Sequence, residues 1–228
     1  MNDAGNAALE TDPAADATAE GGRRARNKAE RRRRIKAAAR AVFAEKGFDA
    51  ATTREIAARA GIANGTLFLY APDKVDLLMM IVNDELDPLT QASLAVLSAD
   101  RPLLAQLMEF FGDRYEYWAR DPRLSRSLVR ETFNHDAFGD KAGPETRRFH
   151  THRARSKARI AAILRAMQAA GNVRADADTD QAARLLWAVY LAEVHEWLNQ
   201  PAPVLKDGLA RLEAPLRLAV SGLQPAGG

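Results

Sequence analysis

The sequence predicts an all-α chain in two parts: an N-terminal three-helix unit with a helix-turn-helix, joined to a larger helical unit. Three observations predict it. No stretch of the 228 residues alternates polar and apolar positions as a half-buried strand does, whereas apolar residues return at helical spacing along most of the chain. Two short amphipathic segments within residues 52–74, TTREIAARAGIANGTLFLYAPDK, are joined by Ala60-Gly61-Ile62, the way a helix-turn-helix is written. The net charge of +3 is also unevenly spread. Residues 1–22 carry five acids and no base, residues 23–74 fourteen Lys or Arg against five acids, and residues 75–228 nineteen against twenty. One basic segment beside a neutral remainder is the footprint of a polyanion-binding module attached to an unrelated one.

Residues 1–22 are rich in Ala, Asp, Gly and Thr without periodicity and are expected to be a disordered tail. The next run, RRARNKAERRRRIKAAAR, leads into Ile35, Ala38, Ala39, Val42 and Phe43, one apolar stripe on a helix of about 20 residues. Gly47 before Phe48 marks its stop. Thr52 and Glu55 have capping-box spacing and start the second helix, with Ile56, Ala57 and Ala60 inward. A short third helix runs over 64–70, ended by Pro72. Asp73 then caps a fourth over 74–89, with a kink expected at Pro88. Punctuation at Pro102, Pro122, Pro144, Gly171 and Pro201 separates helices near 101–119, 122–134, 145–170, 178–199 and 204–221. The expected domains are 23–73 for the helix-turn-helix unit and 74–222 for the larger unit, with a loose tail at 223–228.

Composition excludes several function classes. With 0 Cys there is no disulfide, thiolate zinc site or Cys nucleophile. The acidic first 22 residues do not form a secretory signal, and no apolar run approaches the roughly 20 residues a membrane span needs, so a cytoplasmic location is expected. His150 and His152 sit about 200° apart on a helix, and the i, i+4 pair Glu131 and His135 has no third ligand at a distinctive spacing, so no metal site is expected. Phosphate-cradling glycine loops, nucleophile elbows and metalloprotease signatures are absent; no catalytic residue and no cofactor are expected.

A recognition helix brings its first turn against a groove and needs small residues and hydrogen-bonding side chains there. Asn64, Gly65 and Thr66 fit: Asn pairs with adenine, Gly lets backbone approach backbone, and Thr reaches a phosphate or a thymine methyl. Phe68 is expected to be buried behind the helix; Leu69, if exposed, would face a thymine methyl. The basic run at 23–34 is expected to track phosphates as an arm. A nonspecific, nucleoid-type nucleic-acid binder would share that basic segment and is the alternative reading.

The segment AAARAVFAEKGFDAATTREIAARAGIANGTLF, with Lys74 ahead of a Leu-rich helix, resembles the TetR family of bacterial transcriptional repressors over about a fifth of the chain. The resemblance implies DNA contacts at Thr53, Arg54, Thr66, Tyr70 and Lys74, a homodimer on a palindromic double-stranded operator, and a helical ligand-binding and dimerisation domain. The sequence departs from the family pattern at Ala63, Phe68, Tyr70 and Ala71. Aromatic residues crowd the larger unit, so a pocket for a small, largely apolar effector is expected among Phe110, Phe111, Arg114, Tyr115, Trp118, Phe133, Asn134, Trp187 and Tyr190, with His135 a further polar group. Stripes through Ala183 to Val194 and Leu205 to Val220 are expected to close the core or, as the resemblance implies, meet their two-fold mates.

Overall fold

The computed structural model describes residues 13–133 and 142–225. Among the described residues there are nine helices and no strand: α1 (Pro13–Lys46), α2 (Thr53–Arg59), α3 (Asn64–Phe68), α4 (Lys74–Ala95), α5 (Leu103–Ala119), α6 (Pro122–Thr132), α7 (Pro144–Ala169), α8 (Thr179–Leu198) and α9 (Leu205–Ser221). Expected boundaries of the five helices after α4 fall within three residues of these. Two elements are longer than expected. α1 begins at Pro13, inside the span expected to be disordered, because proline suits a first helical turn and the following alanine-rich run favours helix. α4 runs to Ala95 with Pro88 inside it, six residues past its expected end.

Local chemistry sets the first three helices. Ile35, Ala38, Ala39, Val42 and Phe43 are all buried, as their spacing requires. Gly47 takes φ +79°, and Phe48 folds back until its ring centroid lies 5.4 Å from that of Phe43. At α2 both halves of the capping box form: the Glu55 amide donates to Thr52 Oγ1 at 3.3 Å and the Thr52 amide to Glu55 Oε2 at 3.1 Å. Gly61, at φ +64°, makes the turn that a side chain would strain. Leu67 and Ala71, four residues apart, are fully buried and dock α3. Phe68 is therefore turned outward and is 43% exposed, contrary to the expected burial.

α4 belongs to both parts. It packs against α1 and along α7, with α5 and α6 beside it. α7 continues the larger unit onto α8, α8 onto α9, and α9 onto α5. The α5 and α8 aromatics interlock: Phe111 and Tyr190 stack at 4.5 Å, Tyr115 and Trp197 at 4.8 Å. The stripes on the last two helices close this monomer core, with Leu186, Val194, Leu212 and Leu216 fully enclosed. Outward faces of α8 and α9 carry Leu185 and Leu218 into solvent.

Candidate DNA-reading surface and internal cavity

α3 presents its first turn outward. Asn64 and Gly65 are exposed, Thr66 and Tyr70 are half-buried, and Leu69 at the end of the helix is 84% exposed. Nothing lies within 4 Å of where a Gly65 Cβ would stand, and its φ is ordinary. The fold itself does not require glycine there. On α2, Arg54 is exposed and Thr53 half-buried, beside Arg59, which is held by Glu45. Lys74 is turned differently: its Nζ donates to the carbonyls of Asp49 (3.0 Å) and Ala51 (3.2 Å) and sits 4.7 Å from the Phe48 ring centroid. It ties α4 to the loop between α1 and α2.

The basic segment of α1 divides by partner. Arg32 donates to Glu145 at 2.6 Å and to Asp84 at 3.1 Å, Lys36 to Asp84 at 3.1 Å, and Arg33 pairs with Glu30 at 2.7 Å. Arg23, Arg26, Lys28, Arg31 and Arg34 are exposed. If these track phosphates, replacing Arg23, Arg26 and Lys28 by Gln lowers the slope of log operator affinity against log salt by about 2 to 3, since each neutralised phosphate adds roughly 0.9. An unchanged slope would remove the arm from the account.

The junction between the two parts is polar and ordered. Asp76, buried in the first turn of α4, accepts from the amides of Glu145 (3.3 Å) and Thr146 (2.8 Å) and from Thr146 Oγ1 (3.0 Å), so it serves as an acceptor for the first turn of α7. Burial pushes its carboxyl up, against those hydrogen bonds. The approach requires Gly143: a Cβ there would stand 2.3 Å from the Asp76 carboxyl. Two turns further, Asn83 donates to Glu145 Oε2 at 2.9 Å, and Arg148 bridges Asp84 (3.1 Å) and Asp87 (2.5 Å). An unbroken ionic chain thus runs from α1 through Asp84 and Arg148 to Asp87.

Asp87 lines an internal cavity of about 50 Å³ between α4, α5, α6, α7 and α8. Its apolar wall is Leu86, Trp118, Leu128, Val129, Phe149, Trp187 and Leu191; its polar groups include Asn83, Thr90, Arg114, His152, Arg153 and Tyr190. Of the expected pocket residues, Arg114, Trp118, Trp187 and Tyr190 line it. Phe110, Phe111 and Tyr115 are buried but do not line it; they pack behind the lining residues Arg114, Trp187 and Tyr190. Phe133 is 47% exposed, edge-on to His195. Asn134 and His135 lie outside the described residues.

Signals for the residues not anticipated were present. Asn83, Asp87 and Thr90 fall at i, i+4 and i+7 on one face of α4, and Phe149, His152, Arg153 and Ser156 repeat that spacing on α7.

Charges in the cavity are unevenly matched. The Arg114 guanidinium, 4% exposed, lies 3.7 Å from the Phe110 ring centroid and donates to Phe110 O and Thr90 Oγ1, both within 2.9 Å. Burial pushes its pKa down to about 10. Tyr190, whose oxygen accepts from Trp118 Nε1 at 2.8 Å, has its phenol pushed up by burial. His152 Nδ1 lies 3.1 Å from Asp87 Oδ1. His150 is pushed down to about 4 by burial and by the charges of Arg153 and Lys157. Among the described residues no three His, Asp or Glu converge as a metal site.

His150 predicts an acid sensitivity. Its folded pKa lies below its ordinary 6.5, so as pH falls from 6.5 towards 4 the unfolded chain takes up a proton that the folded chain refuses, and stability falls across that window. Glu145 extends the loss to lower pH. Burial alone would raise its pKa, but Arg32 and Asn83 outweigh burial and hold it below the ordinary 4.5, so its contribution is present above that value and is lost below it. Melting temperature should decline between pH 7 and 4.5, and His150→Gln should flatten the decline. An identical pH slope in the variant would contradict this assignment.

An exposed recognition-helix start, a basic flanking helix and a cavity joined to that helix by ion pairs define a ligand-responsive helix-turn-helix regulator. Residues 35–79 match the family described as bacterial regulatory proteins, tetR family. Two curated relatives are similar over most of their length. The HTH-type transcriptional repressor BepR of Brucella suis is 27% identical over 172 residues, 75% of this chain and 82% of that protein. The repressor KstR of Mycobacterium tuberculosis is 26% identical over 193 residues, 84% of this chain and 81% of that protein. Among solved structures, the TetR-family repressor FadR of Thermus thermophilus in complex with lauroyl-CoA is 27% identical, with TM-score 0.67, covering 86% of this chain and 97% of that one. FadR of Bacillus subtilis with stearoyl-CoA shares the fold at 20% identity and TM-score 0.62, covering 84% of this chain and 98% of that one. Over residues 35–79 the chain carries the DNA-binding module of the bacterial regulatory proteins, tetR family, and the relatives it is similar to over most of their length are transcriptional repressors. Among the described residues no helix is long and apolar enough to cross a membrane.

Proposed function

We propose that the chain is a cytoplasmic repressor whose homodimer holds its two α3 helices about one DNA turn apart on a palindromic operator, and releases it when an apolar-tailed molecule enters the cavity. Residues 23–73 read DNA, and residues 74–222 bind the effector and pair the subunits. Asn64, Gly65 and Thr66 enter the groove, flanked by Thr53, Arg54 and Tyr70. Lys74 adds positive charge from behind while it holds the loop before α2. The outward Leu185 and Leu218 support pairing through α8 and α9.

The observation that carries the effector reading is the position of Asp87. It lines the cavity and holds Arg148, which also bonds Asp84, and Asp84 holds Arg32 and Lys36 of α1. At about 50 Å³, the cavity admits a larger molecule only by parting α4 from α7, and that movement strains the ionic chain to the DNA-reading part. The lauroyl-CoA carried by the Thermus thermophilus relative supports an acyl chain as the apolar part.

The test is competition. DNA flanking the gene should stay bound against a hundredfold excess of random duplex and be released by a medium-chain acyl compound. Equal competition by random DNA would favour a nonspecific, nucleoid-type binder.

A further inference from the structure

The cavity is rich in unpartnered donors. Arg153 Nη1 and Trp187 Nε1 are both inaccessible to solvent and have no hydrogen-bond partner, and both residues line the cavity. The Arg114 and Arg153 guanidinium carbons lie 5.9 Å and 6.0 Å from the Trp187 ring centroid, so the two cations flank one indole. Aromatic faces hold them, with Phe149 also 6.0 Å from Arg153, but a ring quadrupole does not neutralise the charge of the buried Arg114 or the half-buried Arg153. Asp87 is the carboxylate among the lining residues, and it is already engaged by Arg148 and His152. Of the buried side-chain atoms left without partners on this lining, none is an acceptor. An alcohol or amide would supply an acceptor and leave the charge; a carboxylate supplies two acceptor oxygens and a compensating charge.

We propose that the effector carries a carboxylate on its apolar tail and that this head group is received inside the cavity by Arg153, Arg114 and the Trp187 N–H. The inference rests on the cavity being the effector site. It narrows the class from acyl compounds in general to free acids. In a coenzyme A thioester the acyl carbonyl is neutral, and the charged phosphates stand a pantetheine arm away from it, so no charge is supplied beside Arg153 and Arg114.

The test uses the full-length protein with dodecanoic acid, 1-dodecanol and dodecanoyl-CoA, measuring direct binding and release of bound operator. Dodecanoic acid should bind at least tenfold more tightly than the alcohol and the thioester. Arg153→Met should shrink the acid-to-alcohol ratio about tenfold while still binding the alcohol, which shows that the variant is folded; Arg153→Lys should restore part of the ratio. Equal binding of acid and alcohol by the unaltered protein, a thioester tighter than the acid, or a ratio unmoved by Arg153→Met would overturn the carboxylate site and leave the cavity as effector site standing. Failure of all three compounds to bind would overturn the cavity reading and the carboxylate site together.

Discussion

Replacing Gly65 with leucine is expected to leave the fold intact and to abolish specific operator binding. No atom lies within 4 Å of the position a Cβ would take, and the residue has no left-handed φ. Inside the protein the substitution is tolerated, and helix propensity favours it by about 1 kcal/mol. The cost falls on the partner. On the proposed reading the first turn of α3 enters the major groove, and a leucine there would hold the helix axis away from the base edges, so that the neighbouring Asn64 and Thr66 would lose their reach as well. Affinity should fall by about a hundredfold or more, which is roughly 3 kcal/mol. Residual binding should match that to random duplex, because the phosphate-directed charge on α1 is untouched. Unchanged melting with lost binding distinguishes this outcome from misfolding; operator affinity within threefold of the original would take α3 out of the groove.

The largest stability effect is expected at Asp76. This buried carboxylate accepts three hydrogen bonds from the start of α7. Asp76→Ala leaves those donors enclosed without an acceptor, and each such donor costs about 1–3 kcal/mol when water cannot replace the lost partner. Because the junction can relax, we expect a loss of roughly 3–4 kcal/mol, a fall of the order of 10 °C in melting temperature for a chain of this size. Asp76→Asn retains one carbonyl oxygen and should lose less than half of that. Gly143→Ala attacks the same contact from the other side, since its Cβ would stand 2.3 Å from the Asp76 carboxyl, and should also destabilise. Thermal melts of all three variants test the reading. If Asp76→Ala melts within 2 °C of the original protein, α7 is not anchored there.

Much of the architecture was legible because its determinants are local. Thr52 with Glu55 and Asp73 each accept from the amide three residues ahead, and Gly47 and Gly61 turn at positive φ; such signals depend on nothing distant. Phe68 was misread because a five-residue helix is too short to define a face, and Leu67 takes the inward position. The cavity was half legible. Aromatic crowding on α5 located the region, but which rings face the cavity and which face α9 depends on how α8 crosses behind them. That is why Phe110, Phe111 and Tyr115 proved to be core while Arg153 and His152, on a helix without aromatic crowding, line the space. Asp76 carried no local signal at all, since its donors lie some seventy residues away.

The central claim is that effector and operator bind opposite arrangements of one junction, and linkage makes that claim directly measurable. If the effector weakens operator affinity by some factor, the operator must weaken effector affinity by the same factor, for ordinary couplings about 5- to 150-fold. The measurement is the affinity of dodecanoic acid for the dimer, free and saturated with operator DNA, set against operator affinity with and without the acid. Equal reciprocal factors of at least fivefold are the predicted result; an effector affinity unaltered by saturating operator would contradict the account.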